Sequence, residues 1–297
     1  MNVRYAAIDI GSNAVRLLIA DIIEKENTIT FNKNTLLRVP LRLGDDAFIQ
    51  RHISEGKFES MVKTMSAFKN LMDVYKVSAY RACATSAMRE ADNGTAIVEA
   101  CRQVGVDIEI IDGSVEAQII YNVHNFTTMD RNKVYLYIDV GGGSTEISLF
   151  ANGEIQESRS FDLGTIRILD NQDRPETWDD LRLWVRQITK GYKHIYGIGS
   201  GGNINKLSRL ANDKGDKPIS YAKLRALYLH LNAYSLKDRI NLLDLKQDRA
   251  DVIIPAAEIF LTIMKVGHLK NITAPRIGLG DGIIQSIINQ NYSLKKA

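Results

Sequence analysis

At 297 residues the chain is long enough for two domains with buried cores, and its 45% hydrophobic and 25% charged residues are those of an ordinary globular protein. A net charge of +3 excludes a broad nucleic-acid footprint, no apolar run reaches the roughly 20 residues of a membrane span, and five scattered histidines give no zinc-ligand spacing. Two cysteines, Cys83 and Cys101, with no CxxC pair and no secretory signal, lead to the expectation of buried, reduced thiols in a cytoplasmic protein.

The chain begins with an apolar run, Tyr5-Ala6-Ala7-Ile8, followed by Asp9-Ile10-Gly11-Ser12-Asn13 and then an alternating run carrying Val15, Leu17 and Ile19. This spacing predicts strand, tight polar loop, strand. Residues 29–43 continue as strands of a meander, with Pro40 at an edge or ending the pairing. From Ser54 to Tyr75 the residues Phe58, Met61, Val62, Met65, Phe68 and Met72 recur at helical spacing, and the methionines are expected in the core.

Ala79 to Ala84 reads as a short buried strand leading into Thr85-Ser86-Ala87-Met88-Arg89. Two hydroxyls and a guanidinium at a strand end suit a phosphate. On the residues alone, a helix cap by Thr85 or Ser86 with Arg89 in a surface ion pair is slightly favoured. A helix over 94–104 closed by Gly105 and a strand over 106–111 come next, and Glu116 falls in the first turn of a further helix. There it suits the helix dipole without any catalytic role. No Pro/Ser-rich linker marks a boundary, which is placed at 122–132, giving domains 1–124 and 125–297.

The second half repeats the opening theme. Val134 to Ile138 precedes Asp139-Val140-Gly141-Gly142-Gly143-Ser144-Thr145-Glu146, alternation resumes through Ile147 and Leu149, and Asn152-Gly153 turns the chain into a hairpin. Three glycines fit a plain turn as well as an anion site. The second copy tips the balance, because their backbone N–H groups can approach a phosphate closely while the flanking acids need a cation between carboxylate and phosphate. A Rossmann turn or P-loop would open a helix after its glycines, and here strand alternation resumes instead. Helices are predicted at 178–187 after Thr177, at 221–234 after Ser220 and at 249–266 with Pro255 as kink or start. A third glycine loop, 196–203, fits an anion contact, a nucleotide or a tight turn equally, and Gly278 to Gly282 open a last helix, 283–289.

Two strand-loop-strand phosphate hairpins half a protein apart resemble the actin, sugar-kinase and Hsp70 superfamily. The implied fold class is α/β, two actin-like (ribonuclease H-like) domains facing an interdomain cleft. The resemblance sharpens to the Ppx/GppA phosphatases, through Ala7-Ile8-Asp9-Ile10-Gly11-Ser12-Asn13, Ala84-Thr85-Ser86-Ala87-Met88-Arg89 and Glu116-Ala117 with Ile120-Tyr121. It continues through the motif around Asp139 to Glu146, Leu163-Gly164-Thr165-Ile166-Arg167 and Arg249-Ala250-Asp251-Val252-Ile253, in family order over nearly the whole chain.

That resemblance implies hydrolysis of a terminal phosphoanhydride with Mg²⁺ or another divalent cation. It makes Glu116 the catalytic glutamate, Asp139 and Glu146 with Asp9 the acidic metal region, and Arg89 a phosphate contact, with Arg16 a further one. Phosphate is then expected on Gly11, Ser12, Asn13, Thr85, Ser86, Gly141, Gly142, Gly143, Ser144 and Thr145. The implied partner is inorganic polyphosphate, with guanosine pentaphosphate as the alternative; homodimers are common among relatives, and neither nucleic acid nor membrane is expected. A non-catalytic nucleotide sensor is a third reading, opposed by the intact Glu116, Asp139 and Glu146. The chain departs from the family where Val115 precedes Glu116 in place of a second acid, at Gly199-Ser200-Gly201-Gly202 in place of Ser-Gly-Thr, and at Gly280-Asp281-Gly282 in place of Arg-Glu-Gly.

Overall fold

The computed structural model describes residues 3–25, 28–123, 130–212, 217–275 and 277–296. The chain divides into two compact units, Met1–His124 with Leu279–Ala297, and Asn125–Gly278. In the first, β1 (Arg4–Ile10), β2 (Val15–Lys25) and β3 (Thr28–Val39) form an antiparallel meander. Helices α1 (Leu43–Gln50) and α2 (Glu55–Val74) lead to β4 (Ala79–Ala84), which lies parallel to β1. Next come α3 (Ser86–Glu90), α4 (Gly94–Gln103), β5 (Ile108–Ile110) and α5 (Gly113–Val123). The sheet order is β3-β2-β1-β4-β5.

The second unit repeats the plan. Strands β6 (Val134–Val140), β7 (Thr145–Ala151) and β8 (Glu154–Phe161) form the meander. Then follow α6 (Thr165–Leu169), α7 (Pro175–Thr189), β9 (Ile195–Ser200), α8 (Gly201–Ala211), β10 (Ile219–Ser220), α9 (Tyr221–Asn232), α10 (Leu236–Asn241), α11 (Gln247–Ala250), α12 (Ile253–Val266) and β11 (Asn271–Thr273). Read from the meander, β8-β7-β6-β9-β11 has the order and strand directions of β3-β2-β1-β4-β5, with β10 added at the edge. The duplication extends to irregularities. The second meander strand slips register between Ile19 and Ala20 in one unit and between Leu149 and Phe150 in the other, the same distance along the chain from Asp9 and Asp139. A bulge re-aims a strand, so its repetition marks a shared geometry.

Strand β1 is buried on both faces over nearly its whole length, and β6 at Leu136, Tyr137 and Ile138, which is why they read as apolar runs and not as clean alternation. Met61, Met65, Phe68 and Met72 of α2 are core residues, as their spacing predicts. In the second unit Leu136, Ile138, Ile147 and Leu149 pack with Leu181, Val185, Phe260 and Ile263. Local signals act as expected. Asn152 and Gly153 take the positive φ values of a tight hairpin, 57° and 78°, and Ser220 Oγ accepts from the Lys223 N–H at 3.2 Å. Pro255 sits in the first turn of α12, where its missing N–H costs nothing.

The last helix, α13 (Leu279–Lys296), corrects the expected division, which gave all of 125–297 to one domain. It packs on α5, β1, β4 and β2 of the first unit, burying Ile283, Ile284, Ile287 and Ile288. The departures at Gly280 and Asp281, and the Gly282 that follows them, belong to this seat. A Cβ on Gly282 would lie 2.3 Å from the Ile119 carbonyl of α5, so only glycine allows the helices to approach, and buried Asp281 is held at 2.7 Å by Lys33 from β3. The boundary sought at 122–132 falls largely on 124–129, outside the described residues. No helix among the described residues is long and apolar enough to cross a membrane.

Cys83 and Cys101 are free and buried, and burial pushes both thiols up to about 12. Both should therefore resist a chromogenic disulfide reagent at pH 8 in the folded protein and titrate fully in denaturant. Reaction of either with the folded chain within minutes would contradict the packing. A raised folded pKa means the unfolded thiol ionises first, so this contribution to stability is intact below about pH 8.5 and is lost as pH rises toward 12.

Candidate active site

Each unit carries one loop at the end of its leading strand, and the two loops are built alike. Gly11 donates its N–H to the Ala14 carbonyl at 3.2 Å, and Gly141 donates to Ser144 at 2.9 Å. These glycines therefore spend their N–H groups on closing the turn, and the donors available to an anion begin one residue later than the sequence suggested. What differs is the pair of side chains at the base of each hairpin. Asp9 lies opposite Arg16 in register, and Asp139 lies opposite Glu146.

In the first unit the Asp9 carboxylate, 7% exposed, is bonded to Arg16 at 2.5 Å. The charge of Asp9 is thus offset inside its own hairpin, and the Arg16 guanidinium is occupied by it. Ser12 Oγ meets Ser86 Oγ at 3.0 Å, joining the loop to α3, while the Thr85 hydroxyl turns toward the Ile10 carbonyl at 3.4 Å. Thr85 occupies the cap position of α3 without a side-chain cap bond, and Arg89 donates to the Ile111 carbonyl at 2.7 Å, so among the described residues neither the expected cap bond nor the expected surface ion pair forms. That bond ties Arg89 to the start of α5. There Asp112 accepts from Ser114 Oγ and the Val115 N–H, which hold its carboxyl below the usual carboxylate range. Glu116 stands half-buried one turn later, its N–H on the Asp112 carbonyl. Cys83 on β4 lies opposite Asp9 in register, and beside the dominant effect of burial both Asp9 and Glu116 add a small electrostatic push to its thiol.

In the second unit two carboxyl groups stand side by side with no arginine between them in the hairpin. Glu146, 2% exposed, accepts from Ser160 Oγ at 2.8 Å, and Asp139 Oδ2 lies 3.2 Å from Ser200 Oγ. The third glycine loop serves this carboxylate. Gly201 has φ +91°, and a Cβ there would sit 3.0 Å from Asp139 Oδ1. Gly202 is covered by Arg249, whose guanidinium would be 2.1 Å from a Cβ and which donates to Asn203 Oδ1 at 2.8 Å.

The Leu163-Gly164-Thr165-Ile166-Arg167 segment, quoted above only as a motif, is the backing of the triglycine loop. Thr165 N–H donates to the Gly141 carbonyl at 3.1 Å and Ile166 N–H to Gly142 at 2.8 Å, while Arg167 Nε donates to Gly143 at 2.6 Å. The Thr145 hydroxyl, expected on phosphate, is instead donated to the Leu163 carbonyl at 2.5 Å inside this joint. The first loop is backed in the same manner, with Arg42 and Gly44 N–H groups on the Asn13 and Ser12 carbonyls. The signal available in sequence was the Leu-Gly pair that follows both meanders, Leu43-Gly44 and Leu163-Gly164.

A Cβ on Gly164 would lie 2.3 Å from the Gly142 oxygen. Gly164→Ala should therefore displace the loop, cost about 1–3 kcal/mol and abolish most phosphate binding. Unchanged thermal stability and unchanged inhibition by phosphate would refute the joint.

Comparison with known proteins decides the family. The model of the Ppx/GppA phosphatase family matches residues 22–291. This chain belongs to the Ppx/GppA phosphatase family. Solved structures agree on the fold. An exopolyphosphatase from Cytophaga hutchinsonii aligns with TM-score 0.84 at 21% identity over 97% of this chain and 98% of its own, and the Ppx/GppA family member of Aquifex aeolicus with TM-score 0.78 at 23% identity over 98% and 99%. The two actin-like units are thus those of a Ppx/GppA protein. A bifunctional 3-dehydroquinate synthase/phosphatase of Fusobacterium nucleatum is 29% identical over 175 residues, 57% of this chain; the chain spans about a quarter of that relative's length, 26%.

Among the described residues no three His, Cys, Asp or Glu side chains cluster into a self-sufficient metal site. The opposed carboxyl groups of Asp139 and Glu146 nevertheless fit a hard divalent cation. Mg²⁺ is commonly held by one or two carboxylates and completes its octahedron with water and phosphate oxygens.

Proposed function

We propose that the chain is an exopolyphosphatase, releasing orthophosphate from the end of inorganic polyphosphate with Mg²⁺ or another divalent cation. The observation that carries the reading is the carboxyl pair Asp139–Glu146 at the base of a triglycine loop whose three carbonyls are all turned onto one backing segment. A phosphoanhydride is attacked in line, and catalysis consists mainly of positioning and of neutralising charge on the equatorial oxygens. Fixed N–H groups and a carboxylate-held cation are the parts this needs.

In the second unit the N–H groups of Gly142, Gly143 and Ser144 hold phosphate oxygens. Asp139 and Glu146 hold the cation, which offsets phosphate charge when bound. In the first unit the N–H groups of Ser12, Asn13 and Ala14 hold phosphate, with Arg89 on the departing chain and Ser86 beside the loop. Glu116 orients the attacking water and accepts its proton. Asp9 with Arg16 completes its hairpin without a metal.

Guanosine pentaphosphate is the competing substrate. Arg249 stands against it, because its guanidinium fills the space over Gly202 that a base on the third glycine loop would require. Phosphate release should be measured with and without Mg²⁺ on short polyphosphate, long polyphosphate and guanosine pentaphosphate in parallel. Metal-dependent release, faster from polyphosphate, is the expected result. Faster release from guanosine pentaphosphate would replace the substrate, and no release from a folded protein would sink the enzyme reading.

A further inference from the structure

The three carbonyls of the triglycine loop are not held by equivalent donors. Those of Gly141 and Gly142 are taken by backbone N–H groups of Thr165 and Ile166, which no side-chain substitution removes. The Gly143 carbonyl accepts from Arg167 Nε and, among the described residues, from no backbone donor. In a trans peptide the carbonyl and the following N–H lie in one plane and point in opposite directions. The bond from Arg167 to Gly143 therefore sets the direction of the Ser144 N–H. Glycine at 143 leaves that plane otherwise free to turn.

Arg167 is itself unusual for a turn anchor. It is 8% exposed, and the carboxylate beside it, Asp162, stands 3.9 Å away and is 76% exposed. The Arg167 Nε–H is spent on the Gly143 carbonyl, so a largely buried positive charge stands directly behind the triglycine turn. That charge reinforces the N–H groups in front of the loop toward an anion.

We propose that Arg167 is a positioning residue that fixes the Gly143–Ser144 peptide so that the Ser144 N–H faces a bound phosphate. Among the described residues it is the one donor of this loop whose aim depends on a side chain. The proposal rests on the anion-holding role given to the loop above.

The test is to titrate inorganic phosphate, in the presence of Mg²⁺, into protein labelled with ¹⁵N-glycine and ¹⁵N-serine, following the amides of Gly142, Gly143 and Ser144. All three should shift in the wild type; three unmoved amides there would sink the anion-holding reading itself. In Arg167→Met the Ser144 response should be lost while Gly142 and Gly143 still respond. Its kcat for phosphate release should fall on the order of 10²-fold, as when one donor of an oxyanion site is removed, with KM changed less than about threefold. Arg167→Lys, which keeps a charged donor, should restore part of the Ser144 response and of kcat. If Arg167→Met does not fold, Arg167→Lys decides, with Ser144 weakened alone and kcat reduced several-fold. Wild-type values of both in the folded variants, or equal weakening of all three amides, would overturn the proposal.

Discussion

Glu116→Gln should lower the rate of phosphate release by about 10²–10⁴-fold, the range for a positioned general base. The amide keeps the shape and the half-buried place of the carboxylate in the first turn of α5 but cannot accept a proton. Its effect on stability should be small. A carboxylate at a helix start contributes about 0.3–1 kcal/mol through the dipole, and Asp112 already caps this helix, so the melting temperature should fall by only a few degrees. The same rate loss expressed as a barrier is roughly 3–5 kcal/mol, several times larger. Kinetics and calorimetry on one sample thus separate the two roles. Turnover within threefold of the wild type would remove Glu116 from the chemistry and leave it the helix-dipole residue that its position alone suggested.

Glu146→Gln should raise the Mg²⁺ concentration needed for half-maximal activity by at least about 10–100-fold, the loss seen even when groups supporting a metal ligand are removed. The sign of its second effect is opposite. Without metal, the variant relieves a repulsion of about 0.2–1 kcal/mol between two carboxyl groups directly opposed across an antiparallel pair, and its amide oxygen can still accept from Ser160 Oγ, so it should melt no lower than the metal-free wild type. Asp9→Asn is the matched control. Asp9 stands at the equivalent place but is bonded to Arg16, so its loss should cost stability, about 1–3 kcal/mol, while leaving the Mg²⁺ requirement nearly unchanged. Equal shifts in metal requirement for the two variants would show that the hairpins share the cation-holding role.

Much of this architecture is legible in the sequence because it rests on short-range patterns. Asp-x-Gly between two apolar runs gives a strand, a loop and a strand, and its second occurrence gives the duplication. The facing of Asp9 with Arg16 and of Asp139 with Glu146 is also implicit, since a tight antiparallel turn makes residues seven apart partners. Helix α1 was missed because it is short and follows Pro40, which reads as the end or edge of a strand, while the left-handed turn at Arg42 that starts it leaves no mark in the sequence. The role of the Leu163 to Arg167 segment was legible only as a repeated Leu-Gly pair after each meander. Its contacts run to the carbonyls of Gly141, Gly142 and Gly143, two from backbone N–H groups and one from Arg167, and a carbonyl has no sequence identity. Nor does the chain order reveal that α13 belongs with the first unit, because its apolar spacing says only that one face is covered and not by what.

The placement of α13 has a consequence for biosynthesis. Emerging from the ribosome, the second unit has every strand and helix it needs by Gly278, whereas the first unit waits for Ile283 to Ile288 before the faces of α5 and β1 are covered. The half of the chain made first is thus the half that finishes last. During that interval it presents an apolar surface that is a target for chaperones, and a ribosome stalled between the two points would hold a closed second unit joined to an open first one.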